Sequence, residues 1–209
     1  SEADNIYQQI LQTDPNYPDA LHLLGVIAYQ GGENDRAVDL ITKALAIKPD
    51  FAEAHSNLST VHHKLGQLDE AVASCHKAIK IKPNYAEAHC NLGNALKELG
   101  RLDKAIAHYR KAIGIKPKFA MAHNNLGSAF RELGQLDEAV SSYQRAFVIN
   151  PDYAEAYSNL GAALKELGRL DEAVACYHKA LAIKPDYAEA HNNLGNAFTE
   201  LGRLDAAVA

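Results

Sequence analysis

Apolar residues recur at helical spacing through AEAYSNLGAALKELGRLDEAVACYHKALAIKPDY, residues 154–187. Ala156, Leu160, Gly161, Ala163 and Leu164 gather on one side of a first segment, while Glu155 and Asn159 fall on another. Ala173, Tyr177 and Ala180 form the answering face of a second segment. Apolar positions three and four residues apart mark an amphipathic helix. The pattern predicts one helix over residues 154–167, ended by Gly168, and another over 171–183, closed by Pro185.

The rest of the chain repeats this unit. Prolines stand at Pro15, Pro49, Pro83, Pro117, Pro151 and Pro185, each 34 residues after the last, and Gly32, Gly66, Gly100, Gly134, Gly168 and Gly202 keep the same step. A fixed period of this size around a helix–turn–helix is the mark of a solenoid, in which each unit buries its apolar stripe against its neighbours. With Ala154 as position 1, full repeats cover 18–51, 52–85, 86–119, 120–153 and 154–187. Residues 1–17 fit the second half of a repeat and 188–209 a truncated one, which makes residues 1–209 a single array. The expected fold is all-α: a right-handed solenoid whose first helices line a concave groove and whose second helices form the outer wall.

Local chemistry fits this reading. Asp50 with Glu53, Asn84 with Glu87, Asp152 with Glu155 and Asp186 with Glu189 have the spacing of capping boxes at the start of each first helix. Lys118 and Met121 interrupt that pattern and predict a looser start in repeat 120–153. Small residues at positions 3, 8 and 10 let the second helix approach, and alanines at positions 20 (Ala37 to Ala207) and 27 (Ala44 to Ala180) answer from it. Lys48, Lys82, Lys116 and Lys184 precede the closing proline, at the negative end of the helix dipole. The proline forbids continuation.

Composition narrows the function. With 47% apolar residues the chain is not disordered, and a net charge of −5 leaves no general footprint for nucleic acid or an anionic membrane. No apolar run approaches the roughly 20 residues that span a bilayer, and no signal peptide is visible. Cys75, Cys90 and Cys176 match no zinc or redox spacing, and their odd number argues against a disulfide framework. They read as reduced thiols of a cytoplasmic protein, with Cys75 in the core because Tyr109, Tyr143 and Tyr177 hold the same position elsewhere.

Leu at position 7, Gly at 8, a large apolar residue at 11, Ala at 20, an aromatic at 24, Ala at 27 and Pro at 32 together resemble the tetratricopeptide repeat over the whole chain. Two departures stand out. His55, His89, His123, Tyr157 and His191 replace the family's tryptophan at position 4, and Ser59 replaces glycine at position 8. The phrases NLGNALKELGRLDKA and NLGAALKELGRLDEA, with asparagine at position 6, are similar to the superhelical repeat arm of O-linked N-acetylglucosamine transferases and their bacterial relatives. In that family these asparagines line the inner surface and hold the backbone of an extended polypeptide. The resemblance puts that role on Asn57, Asn91, Asn125, Asn159 and Asn193.

Helical geometry is consistent with such a row. Positions 2, 6, 9 and 13 share a stripe away from the Leu/Gly packing face. A side-chain amide carries both donor and acceptor and can pair with either group of a peptide bond; it can equally bond within the scaffold, between adjacent first helices. Five net hydrogen bonds at roughly 1 kcal/mol each come to about the 4 kcal/mol of millimolar binding, so the row alone is weak and tolerant of sequence. Selectivity then falls to position 9 (Thr60, Asn94, Ser128, Ala162, Asn196) and position 12 (His63, Lys97, Arg131, Lys165, Thr199). The glutamates at position 2 read as caps. A carboxylate clamp, which in this family uses Lys or Arg at positions 2 and 6, does not fit acids at 2 and asparagine at 6.

The recurring histidines occupy a packing position, and no zinc constellation is formed from them or from adjacent His62 and His63. Nothing resembles a nucleophile with its base or a phosphate loop. The sequence therefore reads as a non-enzymatic protein-binding scaffold without cofactor or metal. The alternative is the substrate-recruiting arm of a larger transferase-like glycosyltransferase. Leu194, Phe198 and Leu201 lack a full partner helix, which predicts end-to-end self-association through 188–209.

Overall fold

The computed structural model describes residues 2–202, which form twelve α-helices and no strand. They sort into two compact units, Ser1–Ile115 and Lys116–Ala209. The first holds α1 (Glu2–Thr13), α2 (Pro18–Gln30), α3 (Asn34–Ile47), α4 (Ala52–Lys64), α5 (Leu68–Ile81), α6 (Ala86–Glu98) and α7 (Leu102–Ile115). The second holds α8 (Ala120–Glu132), α9 (Leu136–Ile149), α10 (Ala154–Glu166), α11 (Leu170–Ile183) and α12 (Ala188–Glu200). The expected partner helix of α12, including Ala207, lies outside the described residues.

Within a unit, each repeat is a helix pair, and each pair packs on the next. In the first unit α2 pairs with α3, α4 with α5 and α6 with α7, and the first helices α2, α4 and α6 also touch in turn. In the second unit α8 pairs with α9 and α10 with α11, and α8, α10 and α12 touch in turn. The turn inside a pair is fixed by one residue. Gly66 has a φ of +71°, and the reversal lets Gly66 N–H reach His63 O at 3.0 Å and Gln67 N–H reach His62 O at 2.9 Å. Those are the two bonds of a Schellman ending, and Gly100, Gly134 and Gly168 repeat them.

The core is built of small residues on one helix and large ones on the other. Tyr109, Tyr143 and Tyr177 are fully buried, and a Cβ added to Gly93, Gly127 or Gly161 would stand 2.5, 2.8 or 2.6 Å from the facing tyrosine ring. This explains Ser59. The residue facing it across the pair is Cys75, small enough to leave room for the hydroxyl, and both are buried. Burial also pushes the Cys75 thiol up to about 11. The three cysteines form no disulfide.

The capping boxes are a correction. The helices begin after Phe51, Tyr85, Phe119, Tyr153 and Tyr187, with no side-chain bond at the cap. Asp50, Asn84, Asp152 and Asp186 stand one residue too early, in the turn. Without that pattern to lose, α8 begins in register with the other first helices despite Lys118 and Met121. A different clamp holds the entry. Lys48, Lys82, Lys116 and Lys184 lie 4.3, 4.7, 4.7 and 5.0 Å from the ring centres of Phe51, Tyr85, Phe119 and Tyr187. These are cation–π contacts. Glu53, expected as a cap, instead binds Lys82 at 3.1 Å. Its own backbone N–H and Lys82 hold its carboxyl below the usual range.

Position 4 closes the linker between repeats. His55, His89, His123 and His191 donate Nε2–H to the carbonyls of Pro49, Pro83, Pro117 and Pro185 at 2.8–3.1 Å. An indole N–H in the family's pattern would be a ring donor at the same place. Tyr157 makes no such bond and stacks on Phe147, with ring centres 4.7 Å apart.

Candidate functional site

Asn57, Asn91, Asn125, Asn159 and Asn193 stand half-buried at corresponding places on α4, α6, α8, α10 and α12. Gly93, two residues beyond Asn91, faces the Tyr109 ring, so the asparagine is turned off the packing face. Three of the amides are tied to the scaffold at their nitrogen end. Asn57 Nδ2 donates to His22 Nε2 at 2.8 Å, and Asn159 Nδ2 donates to Asn124 Oδ1 at 3.0 Å. Asn91 Nδ2 donates to Ser56 Oγ at 3.3 Å and Thr60 Oγ1 at 3.1 Å. In each case the amide reaches position 5 of the repeat before it. Among the described residues, nothing donates to Oδ1 of Asn57, Asn91 or Asn159.

Position 5 thus anchors the amides, which sequence reasoning missed. Its residues vary (His22, Ser56, Asn124), so no repeated letter marks it. His22 accepts at Nε2 and so carries its proton on Nδ1. It is buried, touches the Phe51 ring edge-on at 4.7 Å, and burial lowers its pKa.

Two depressions follow the row in the first unit. One, of about 170 Å³, lies beside Asn57 between Tyr29, Ile41 and Thr60. A smaller one, of about 30 Å³, lies between Thr60, His63, Asn91 and Asn94.

The positions expected to give selectivity are partly engaged. Asn94 Oδ1 accepts from Tyr109 OH at 2.8 Å, and Ser128 Oγ accepts from Tyr143 OH at 3.2 Å. Ala162 holds the matching place in the next repeat, and Tyr177 OH is buried there with no partner. At position 12, Arg131 lies 3.7 Å from Glu166, Lys165 3.1 Å from Glu200, and His63 Nε2 2.9 Å from Glu98. The pairs link one repeat to the next, and a base at 12 with Glu at 13 of the following repeat is their signal in the sequence. Lys97 is half-buried at the same place on α6, and Asn196 is exposed on α12.

The arrangement offers hydrogen-bond acceptors and paired charges along one helical face. The described residues hold no group of three His, Cys, Asp or Glu able to ligate a metal, and no helix long and apolar enough to cross a membrane.

The model of the "TPR repeat" family matches residues 60–100, 93–131, 127–168 and 163–202, and a "Tetratricopeptide repeat" model matches 1–60 and 28–75. No curated protein sequence matches the chain. Among solved structures, a chain of the APC/C hetero-tetramer Cut9–Hcn1 is similar at a TM-score of 0.86 and 21% identity. That match covers 94% of this chain and 39% of the other, so the present chain spans well under half of it. TTC0263, a thermophilic TPR protein in Thermus thermophilus, is similar at 0.75 and 27% identity, over 87% and 99% of the two chains. YrrB, described as a TPR protein with an unusual peptide-binding site, is similar at 0.64 and 21% identity, over 88% and 95%. At 21% identity the first and last of these are likenesses of fold.

Proposed function

The chain belongs to the tetratricopeptide repeat family, and from that premise we propose that it is a protein-interaction scaffold that holds an extended segment of another protein along its first helices. The observation that carries this reading is the row of amides whose nitrogen ends are anchored to position 5 of the preceding repeat. Anchoring fixes each side chain in advance and leaves Oδ1 of Asn57, Asn91 and Asn159 to accept from a ligand's backbone N–H. A side chain already fixed loses little entropy on binding, which favours affinity. The peptide-binding site of YrrB supports the same class of ligand. Three cysteines with no disulfide among them fit a reducing, cytoplasmic setting.

The test is selection of a random extended-peptide library on immobilised protein, comparing wild type with Asn91, Asn125 and Asn159 all changed to Ala. Helix content by circular dichroism serves as the folding control. Retained peptide should fall sharply on the folded triple variant. Equal retention by a folded triple variant would overturn the reading.

A further inference from the structure

A cleft of about 690 Å³ opens in the first unit over His55, between the ends of α3 and α5. Its walls are chiefly apolar (Leu45, Leu58 and Ile81), and Lys77, Lys80 and Asp50 line it as well. The size is in the range of sites that take a compact ligand. It lies on the second-helix side of α4, apart from the asparagine row.

In two other repeats a ring stands against the position-4 side chain. In one, Phe147 stacks on Tyr157, with ring centres 4.7 Å apart and planes 12° from parallel. In another, His108 stacks on His89 at 5.4 Å and meets its Nδ1 at 3.1 Å. The corresponding pairs around His55 are Leu45 at the place of Phe147 and Ser74 at the place of His108. Neither supplies a ring. His55 is 7% exposed, and its Nδ1 is buried with no partner. Because Nε2–H is given to Pro49 O, that nitrogen is an acceptor.

We propose that this cleft receives the indole of a tryptophan carried by an acidic segment of a partner protein. The ring stands edge-on to the position-4 imidazole at its Nδ1, where His108 meets His89. The indole N–H, a donor with no acceptor of its own, satisfies Nδ1 of His55. A tyrosine hydroxyl would bring unsatisfied lone pairs into the same site. Phenylalanine would leave Nδ1 bare. Acidic neighbours of the tryptophan meet Lys77 and Lys80. An orphaned buried acceptor is costly, and a ligand that satisfies it regains that free energy on binding.

The protein contains no tryptophan, so indole fluorescence reports the ligand alone. The probe is the peptide acetyl-Glu-Glu-Trp-Glu-Glu-amide. It should bind with a blue-shifted indole emission, and the phenylalanine version should compete at least about tenfold less well, as for loss of an anchoring contact. Leu45→Phe and Ser74→His, which copy the native plugs, should each weaken binding at least about tenfold, with helix content retained. Lys77→Glu, a change at an exposed site that leaves folding intact, should weaken it as well. The triple asparagine variant should bind the probe as wild type does, which separates this site from the proposed groove. Three results would overturn the proposal: no emission shift with the acidic peptide, equal binding when Leu45→Phe fills the cleft, or equal binding of the lysine-flanked peptide acetyl-Lys-Lys-Trp-Lys-Lys-amide.

Discussion

His89 and His108 face each other through their Nδ1 atoms at 3.1 Å, and only one proton fits between them. His89 gives its Nε2–H to Pro83 O, so its Nδ1 is bare and His108 is the donor. A second proton would set two N–H groups head to head. Burial, then His89, His76 and Lys111, lower the pKa of His108 to about 4. Burial likewise lowers His22, His55 and His89. The unfolded chain binds these protons near pH 6.5. Folded pKa values below that mean the neutral forms favour folding, with stability complete above about pH 6.5 and lost as pH falls toward 4. The melting temperature should drop between pH 7 and pH 5, and His108→Phe should flatten the drop. A profile unchanged in that variant would count against the pair.

Glycine at position 8 and glycine in the second helix should respond oppositely to alanine. At Gly93 a Cβ would meet Tyr109 Cε1 at 2.5 Å, inside a fully buried contact, whereas at Gly114 it would meet nothing within 4 Å. Gly93→Ala should cost about 1–3 kcal/mol through overpacking. Gly114→Ala should gain about 0.5–1 kcal/mol, since glycine in a helix loses the most entropy. Urea midpoints of the two variants, moving in opposite directions from wild type, are the check.

The three buried tyrosines differ at their hydroxyls. Tyr109 and Tyr143 donate to Asn94 and Ser128, and Tyr177 has only Ala162 in the matching place. Tyr143→Phe should therefore lose about 1 kcal/mol, and Tyr177→Phe should be neutral or better. Ala162→Ser should supply the missing acceptor and raise stability by about 0.5–1.5 kcal/mol. If Ala162→Ser stabilises the Tyr177→Phe background equally, the hydroxyl is not its cause.

Much of this architecture was legible because each repeat must solve the same packing problem with the same letters. Among the described residues, the prolines and the turn glycines marked each helix end to within two residues. The capping boxes misled because Asp50 and Glu53 have the spacing of a box while Phe51 takes the cap, leaving Glu53 to find Lys82. Position 9 looked like free surface because the residues that use it lie 15 positions on, in the second helix: Asn94 with Tyr109, Ser128 with Tyr143. The anchors of the asparagine row were hidden for a different reason. Their partners change from repeat to repeat, and a bond across 35 residues to a varying letter leaves no periodic trace.

Those anchors make the asparagines unequal as scaffold. Asn91 shares its donors between Ser56 and Thr60, and Thr60 Oγ1 also reaches Ser56 O at 3.3 Å, so these hydroxyls can reorient when the amide is removed. Asn159 donates to Oδ1 of Asn124, which is 6% exposed and has no other donor among the described residues. Asn159→Ala leaves that buried acceptor bare, which should cost about 1–3 kcal/mol. Asn91→Ala should cost about 1 kcal/mol or less. Removing both partners of a buried bond is cheaper than removing one, so changing Asn124 to Leu in the Asn159→Ala background should recover part of the loss. Denaturant titration of the four proteins gives the coupling directly. A double variant no more stable than the sum of its single changes would mean that Asn159 acts on the fold through something other than Asn124.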